Sequence, residues 1–187
     1  TVTVTGVDDD LIDGTITSTV TVSVNDVSSD NNFDAVSDQT VSVATTDDDV
    51  AGFTIVESSG STSVAESGTT DTFTVVLDAE PASDVVLSMT SGHPAEATVT
   101  SSLTFTSSNW DTAQTVTVTG ADDDLIDGTI VSTVTVSVND VSSDNTFDSV
   151  ADQTVSVATT DDDVAGFTIC LLYTSDAADD SLRVDLG

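Results

Sequence analysis

Apolar residues alternate with Thr and Ser over most of the chain, and no stretch carries a helical period. Seven runs predict strands within residues 50–163. "GFTIVE" (52–57) and "SVAE" (63–66) read as a broken first strand, and "TDTFTVVLD" (70–78) as the second. "EPAS" (80–83) is a turn, with Pro81 breaking the run. "DVVLSMTS" (84–91) predicts the third strand, "GHPAE" (92–96) a loop, and "ATVTSSLTFT" (97–106) the fourth strand. "TAQTVTVTG" (112–120), "GTIVSTVTVSVND" (128–140) and "QTVSVATT" (153–160) predict the fifth, sixth and seventh. Strands of period two, closely spaced and divided by turn residues, predict an all-β fold, an antiparallel Greek-key β-sandwich. Val, Ile, Leu and Phe are expected to face its core, and Thr and Ser to face water.

The pattern also repeats. Residues 1–55 return at 115–169, a shift of 114 (115 − 1), with differences only at Val7/Ala121, Thr17/Val131, Asn32/Thr146, Ala35/Ser149 and Ser37/Ala151. Near-identity at a domain-sized period predicts a tandem array. Residues 1–49 then read as the C-terminal half of one unit, 50–163 as a complete unit, and 164–169 as the start of a third. The chain opens at Thr1 inside a strand-like pattern, so it reads as a piece of a longer protein, and the lack of a signal peptide carries no information on location. Residues 1–49, without the first four strands of their unit, are expected to pair opportunistically or stay loose.

The repeat breaks at residue 170. "CLLYTSDAADDSLRVDLG" holds the only Cys (Cys170), the only Tyr (Tyr173) and the only basic residue (Arg183). Its first ten residues resemble a translated sequencing adapter, TGT CTC TTA TAC ACA TCT GAC GCT GCC GAC, so 170–187 are expected to be a non-native tail outside the fold. Residues 1–169 then contain no Lys, Arg or Cys, and no disulfide or thiol chemistry is open to them.

Charge sharpens the picture. Thirty-four acidic residues stand against one basic one, a formal charge of −33. Nucleic acid and anionic membrane surfaces are not expected as partners, because both are bound by neutralising phosphates with Lys and Arg. No run approaches the roughly 20 apolar residues of a membrane span. Much of the charge lies in two motifs, "ADDDLIDG" between the fifth and sixth strands and "TTDDD" at the end of the seventh. In a seven-stranded sandwich both can reach one pole, together with Glu66 at the break in the first strand. Glu66, Asp122, Asp123, Asp124, Asp127, Asp161, Asp162 and Asp163 would then converge with no cationic side chain among them. Such a cluster repels itself. A hard divalent cation relieves that. Calcium, taking six to eight oxygens in flexible geometry, suits it better than magnesium, which demands strict octahedral coordination. Zinc is disfavoured, since His93 is the single histidine and the native part has no Cys. A solubilising acidic face is the plainer alternative.

"GFTIVESSGSTSVAESG", "VTVTGADDDLIDG" and "TTDDDVAG" resemble a Calx-beta domain, the calcium-binding sandwich of sodium/calcium exchangers and of long surface proteins. The resemblance covers residues 50–163 and the half unit before them. It implies calcium ligands at Glu66, at Asp122 to Asp124 with Asp127, and at Asp161 to Asp163. It also implies an incomplete site at Asp8, Asp9, Asp10, Asp13, Asp47, Asp48 and Asp49, whose Glu partner lies upstream of Thr1. Two departures, a short acidic loop and "TSGHP" where the family has an Asp after strand three, imply fewer ions or weaker binding than in a sensor, with a Kd of about 10⁻⁴ to 10⁻³ M.

Other features carry less. "SDNNFDAVSD" (29–38) hints at an EF-hand loop but lacks the Gly and the bidentate Glu, so a loop between strands is expected. Trp110 is expected to pack at the domain end, Glu57 is a weak candidate for an interdomain contact, and no catalytic constellation is present, so the chain is not expected to be an enzyme. The expectation is a calcium-binding spacer of a secreted or cell-surface protein, related to adhesion or biofilm. Its partners are neighbouring repeats and calcium, and any adhesion ligand lies outside this stretch. A carbohydrate- or protein-binding module, or an accessory region of a larger secreted enzyme, are the alternatives.

Overall fold

Alternation of bulky apolar residues with Thr and Ser produces the strands of residues 1–170, the part of the chain that the computed structural model describes. They are β1 (Ile16–Val22), β2 (Gln39–Thr45), β3 (Phe53–Glu57), β4 (Thr62–Ala65), β5 (Thr70–Leu77), β6 (Val85–Ser91), β7 (Ala97–Val99), β8 (Ser102–Phe105), β9 (Gln114–Gly120), β10 (Ile130–Val138) and β11 (Gln153–Thr160). The adapter-like tail from residue 171 onward lies outside the described residues; Cys170 is exposed.

Residues 53–160 form two sheets, ordered β4-β11-β10-β6-β8 and β3-β5-β9-β7. Each pairing is antiparallel except β4 with β11, which is parallel, Thr62 to Ala65 facing Val157 to Thr160. The predicted break in the first strand is a change of sheet: β3 pairs with β5 in one layer and β4 with β11 in the other. A second break was not anticipated. The single strand expected over 97–106 is split into β7, which pairs with β9, and β8, which pairs with β6. Thr100, between the two, stays bonded to β9, its Oγ1 accepting from the Thr117 N–H at 3.0 Å. Both breaks let one sequence run serve both layers.

The core forms where the inward faces meet. Phe73, Val75 and Leu77 from β5, Val85, Leu87 and Met89 from β6, and Val116 and Val118 from β9 are all buried, as are Val134, Val136, Val155, Val157 and Phe147. Trp110 packs against this core at the end of the sandwich, and its carbonyl accepts from Leu77 N–H at 3.1 Å. The expectation that Thr and Ser face water fails at Thr62, Ser132 and Thr159, which are buried; inward register on β4, β10 and β11 fixes their direction regardless of side-chain type. Glu57 accepts from Thr62 Oγ1 at 2.7 Å, which ties the two halves of the broken strand together.

The first copy behaves differently. β1 and β2 pair from Ile16↔Thr45 to Val22↔Gln39, the register that β10 and β11 repeat 114 residues later as Ile130↔Thr159 to Val136↔Gln153. This hairpin has no further strand beside it among the described residues, and Val22 and Val41 stay exposed. Residues 1–6 repeat Thr115–Gly120 of β9 but form no strand, because no counterpart of β5 is there to pair with them.

The EF-hand-like segments are loops with a structural use. Asp144 Oδ1 accepts from Thr146 N–H at 3.0 Å and Oδ2 from Ser83 N–H at 2.8 Å, so one carboxylate caps a short 3₁₀ turn and ties it to the β5–β6 turn. Burial opposes its ionisation, but these backbone donors outweigh it and hold Asp144 below the usual carboxylate range. Its copy, Asp30, is exposed and caps only its own turn, through Asn32 N–H at 2.9 Å. Asp144→Ala is expected to lower stability by about 2 kcal/mol, the scale of lost hydrogen bonds to a charged group. Asp30→Ala is expected to change it by less than about 0.5 kcal/mol, as surface substitutions do. Urea unfolding of the two variants followed by Trp110 fluorescence measures the difference.

Candidate metal centre

Two strand ends meet at one pole of the sandwich. β4 stops at Ala65, and the next residue, Glu66, donates its N–H to the carbonyl of Thr160 at 3.0 Å, where β11 also stops. From the other layer, β9 ends at Gly120, whose N–H donates to Thr69 O at 3.0 Å. A Cβ on Gly120 would overlap the Ala65 carbonyl, so only glycine permits this approach. Ala121 N–H then donates to Glu96 O at 2.8 Å, which starts the 122–127 loop against the Glu96 backbone. Gly128 closes the loop in the left-handed region, φ 78°, and donates its N–H to Asp161 Oδ2 at 2.8 Å.

Carboxylates from four chain segments converge here. Glu66, Asp123 and Asp163 each offer an oxygen within 4.8 Å of the others, and so do Glu66, Glu96 and Asp127. Glu66 is common to both groups and only 1% exposed. Both its oxygens, Oε2 of Glu96 and Oδ2 of Asp163 are buried without a hydrogen-bond partner. Buried polar atoms are ordinarily paired, so four orphaned carboxylate oxygens on three residues of these two groups are a marked exception.

The electrostatics agree. Burial pushes Glu66 up to about 7, and Asp161, Asp123, Asp127 and Glu96 add repulsion. Asp163 is raised by burial first and then by Asp161, Asp124, Asp122 and Asp162. Asp161 goes the other way: backbone N–H groups of Gly128 and Asp163 hold it below the usual range. Its two oxygens brace the loop, Oδ2 on Gly128 and Oδ1 on Asp163 N–H at 2.7 Å. Asp123 both joins the cluster and accepts from Leu125 N–H at 2.7 Å.

Of the residues the sequence singled out, the structure therefore brings together Glu66, Asp123, Asp127 and Asp163, with Asp161 as the brace beside them. Asp122, Asp124 and Asp162 are exposed and outside both groups; neighbours in an extended run point to opposite sides. Glu96 was missed. It precedes β7, in the loop after β6, and its signal was a lone Glu a few residues past the "TSGHP" stretch that lacked the family's Asp.

The first copy repeats the scaffold. Asp47 Oδ2 accepts from Asp13 and Gly14 N–H groups at 3.0 and 2.6 Å, and its Oδ1 from Asp49 N–H at 2.8 Å. Asp9 accepts from Leu11 N–H at 3.1 Å, as Asp123 does from Leu125. Backbone donors, that of Asp49 foremost, lower Asp47, while burial followed by Asp47, Asp48, Asp10 and Asp8 raises Asp49. Asp8, Asp9, Asp10, Asp13 and Asp48 are exposed, and both convergent groups found among the described residues lie between residues 66 and 163.

An all-carboxylate cluster with orphaned oxygens fits a hard cation bound by oxygen, and calcium's flexible coordination suits ligands drawn from a loop and three strand ends. Glu66, Glu96, Asp123, Asp127 and Asp163 are the residues that could hold it. No thiol lies among residues 1–169, and His93 is exposed, so a zinc site does not fit.

No known family model and no curated protein matches the chain. Solved structures resemble it in part. The E. coli chaperone DraB shares 9% identity, with TM-score 0.42, over 62% of this chain and 59% of that one. An apo-form Calx CBD1 domain shares 13%, with TM-score 0.42, over 59% and 98%. Domains 4 and 5 of the S-layer protein SbsC share 21%, with TM-score 0.39, over 66% and 63%. The chain thus spans less than two thirds of the DraB and SbsC chains. The strand order of the two sheets, rather than these distant likenesses, defines the fold as a β-sandwich.

Two measurements probe the geometry. Gly120→Ala is expected to cost about 1–3 kcal/mol, the scale of overpacking, whereas Gly6→Ala, whose Cβ would meet only Thr45 Cγ2 at 3.5 Å, is expected to be tolerated; thermal melts of both variants compare them. The second concerns pH. The carboxyl of Glu66 binds its proton more tightly in the folded chain, up to about 7, than at its ordinary 4.5. The folded state therefore holds more protons between those values, and stability falls as pH rises through that window. In chelator, Glu66→Gln is expected to lose less stability than the parent between pH 5 and pH 8, and to melt higher than the parent at pH 8.

Proposed function

We propose that residues 50–163 form a calcium-binding structural unit of a secreted or surface-exposed repeat protein, in which the cation neutralises the acidic pole and stiffens the chain. One observation carries this reading: Glu66, buried with both oxygens unpartnered, lies among Asp123, Asp127, Asp163 and Glu96 in a stretch with no Lys or Arg to balance them. A solubilising face requires its carboxylates in water. Glu66 and Glu96 are instead taken out of water, which is unfavourable unless a positive charge meets them.

The position of the site favours a structural role. Asp163 is followed at once by "VAGFTI", a restatement of Val50–Ile55, so the cluster sits where one unit gives way to the next. In arrays of this kind each unit interacts mainly with its neighbours. The N-terminal Asp8–Asp13 and Asp47–Asp49 set then belongs to the preceding unit, and adhesion, where it occurs, is a property of the longer protein. No helix among the described residues is long and apolar enough to cross a membrane, a statement that does not bear on β-barrels.

Calcium titration of the full chain, by calorimetry and by melting, tests the reading. With a Kd near 10⁻⁴–10⁻³ M, about 10 mM calcium contributes roughly 1.4–2.7 kcal/mol and raises the melting midpoint by several degrees. Binding expels the proton from Glu66, so apparent affinity is expected to improve as pH rises through about 7. Glu66→Gln is expected to abolish most of the calcium-dependent rise. A parent midpoint that stays put at millimolar calcium removes the metal from the proposal.

A further inference from the structure

Each acidic loop carries an apolar pair at the same position, Leu11–Ile12 in the first copy and Leu125–Ile126 in the second. An apolar pair inside so charged a loop is out of place in water. The two copies differ in what covers them. Leu125 is 62% exposed and Ile126 59%, whereas Leu11 and Ile12 are both half-buried and Ile12 packs against the core of the complete unit. Leu11 forms a parallel β-bridge with Glu80, and Glu80 N–H donates to Asp10 O at 2.7 Å. Glu80 belongs to the turn between β5 and β6, where Ala79 and Pro81 on either side are buried. The acidic loop of one copy therefore sits on a defined turn of the next unit.

The covalent connection alone would be a hinge. Only Val50, Ala51 and Gly52 separate the Asp47–Asp49 triple from β3. A contact at the β5–β6 turn adds a second point of attachment, and two points fix an orientation that one leaves free. The contact forms despite like charge, since Glu80 lies beside a loop with four aspartates; the backbone hydrogen bond and the apolar pair outweigh that repulsion.

We propose that the Leu-Ile pair is the docking element between consecutive units, and that Leu125–Ile126 is the free half of the same contact. Its occupant is the Ala-Glu-Pro turn of a following copy of the repeat, which "VAGFTI" after Asp163 begins to restate. The proposal rests on the reading of the chain as a stiffened array, but the apolar contact is distinct from the cation.

The test is a distance measurement in the full chain carrying Cys170→Ser, with spin labels on Thr21→Cys in β1 and Ser107→Cys after β8, both exposed positions. A single narrow distance is expected in about 5 mM calcium and equally in chelator at about 0.15 M salt, where charge repulsion is screened. Ile12→Asp is expected to broaden it. Ile12→Ala, which trims the contact without adding charge, should broaden it less, and amide spectra of Thr19 and Ser42 report whether the hairpin persists. Ile126→Asp is expected to leave this distance unchanged. In a chain extended after Asp163 by a second copy of residues 50–163, Ile126→Asp should free the added unit as Ile12→Asp frees the hairpin. A broad distance in the parent, a narrow one in Ile12→Asp, or one that narrows only with calcium overturns the docking. Loss of the calcium-dependent melting shift with the distance still narrow would instead count against the cation and leave the docking standing.

Discussion

The close approach of Gly120 to the Ala65 carbonyl governs the acidic pole. Strand ends from different layers of a sandwich are normally kept apart by the side chains between them. Removing one Cβ lets β9 meet β4, and three consequences follow together. Glu66 turns inward, the 122–127 loop starts from the backbone of Glu96, and the end of β11 lies alongside both. Glu66, Glu96 and Asp163 thus come from the ends of paired strands, while Asp123 and Asp127 come from the loop between β9 and β10. Carboxylates on independent loops could relax by moving apart; those fixed at paired strand ends have less freedom to do so, and Glu66 carries the repulsion as a raised proton affinity.

That constraint divides labour among similar residues. Asp161 and Asp163 stand two apart in one triple, yet backbone donors hold the first ionised as a brace, while the second is left with a buried, unpartnered oxygen. Asp47 and Asp49 are shifted in the same opposite directions in the first copy, the first lowered by backbone donors and the second raised by burial. The local scaffold of the loop therefore forms from the repeat's own sequence, and only the converging Glu66 and Glu96 depend on strands contributed from further away.

The sequence made the strands legible because inward and outward positions differ so sharply in residue type. It made the two acidic motifs and Glu66 legible because charge runs interrupt that alternation. It could not separate Asp123 from Asp122 and Asp124, since which member of a triple turns inward depends on the register in which the loop leaves β9. Glu96 escaped notice because a single Glu in a loop has no periodic signature, and only the pairing of β7 with β9 carries it to the pole. The split of 97–106 was hidden for a related reason: "TVTSSLTF" alternates straight through the point where the chain changes layers.

The parallel pairing of β4 with β11 bears on how such a unit responds to tension. The chain enters β4 from β3 at the Thr62 end and leaves β11 at the Thr160 end, which lie at opposite ends of the paired stretch. Once β3 has parted from β5, a pull on the two ends slides β4 along β11 and strains the pairings from Thr62↔Val157 to Ala65↔Thr160 together, whereas an antiparallel pair pulled from one end opens bond by bond. The same edge that delivers Glu66 to its neighbours would also be the element that must shear before the sandwich can be drawn open.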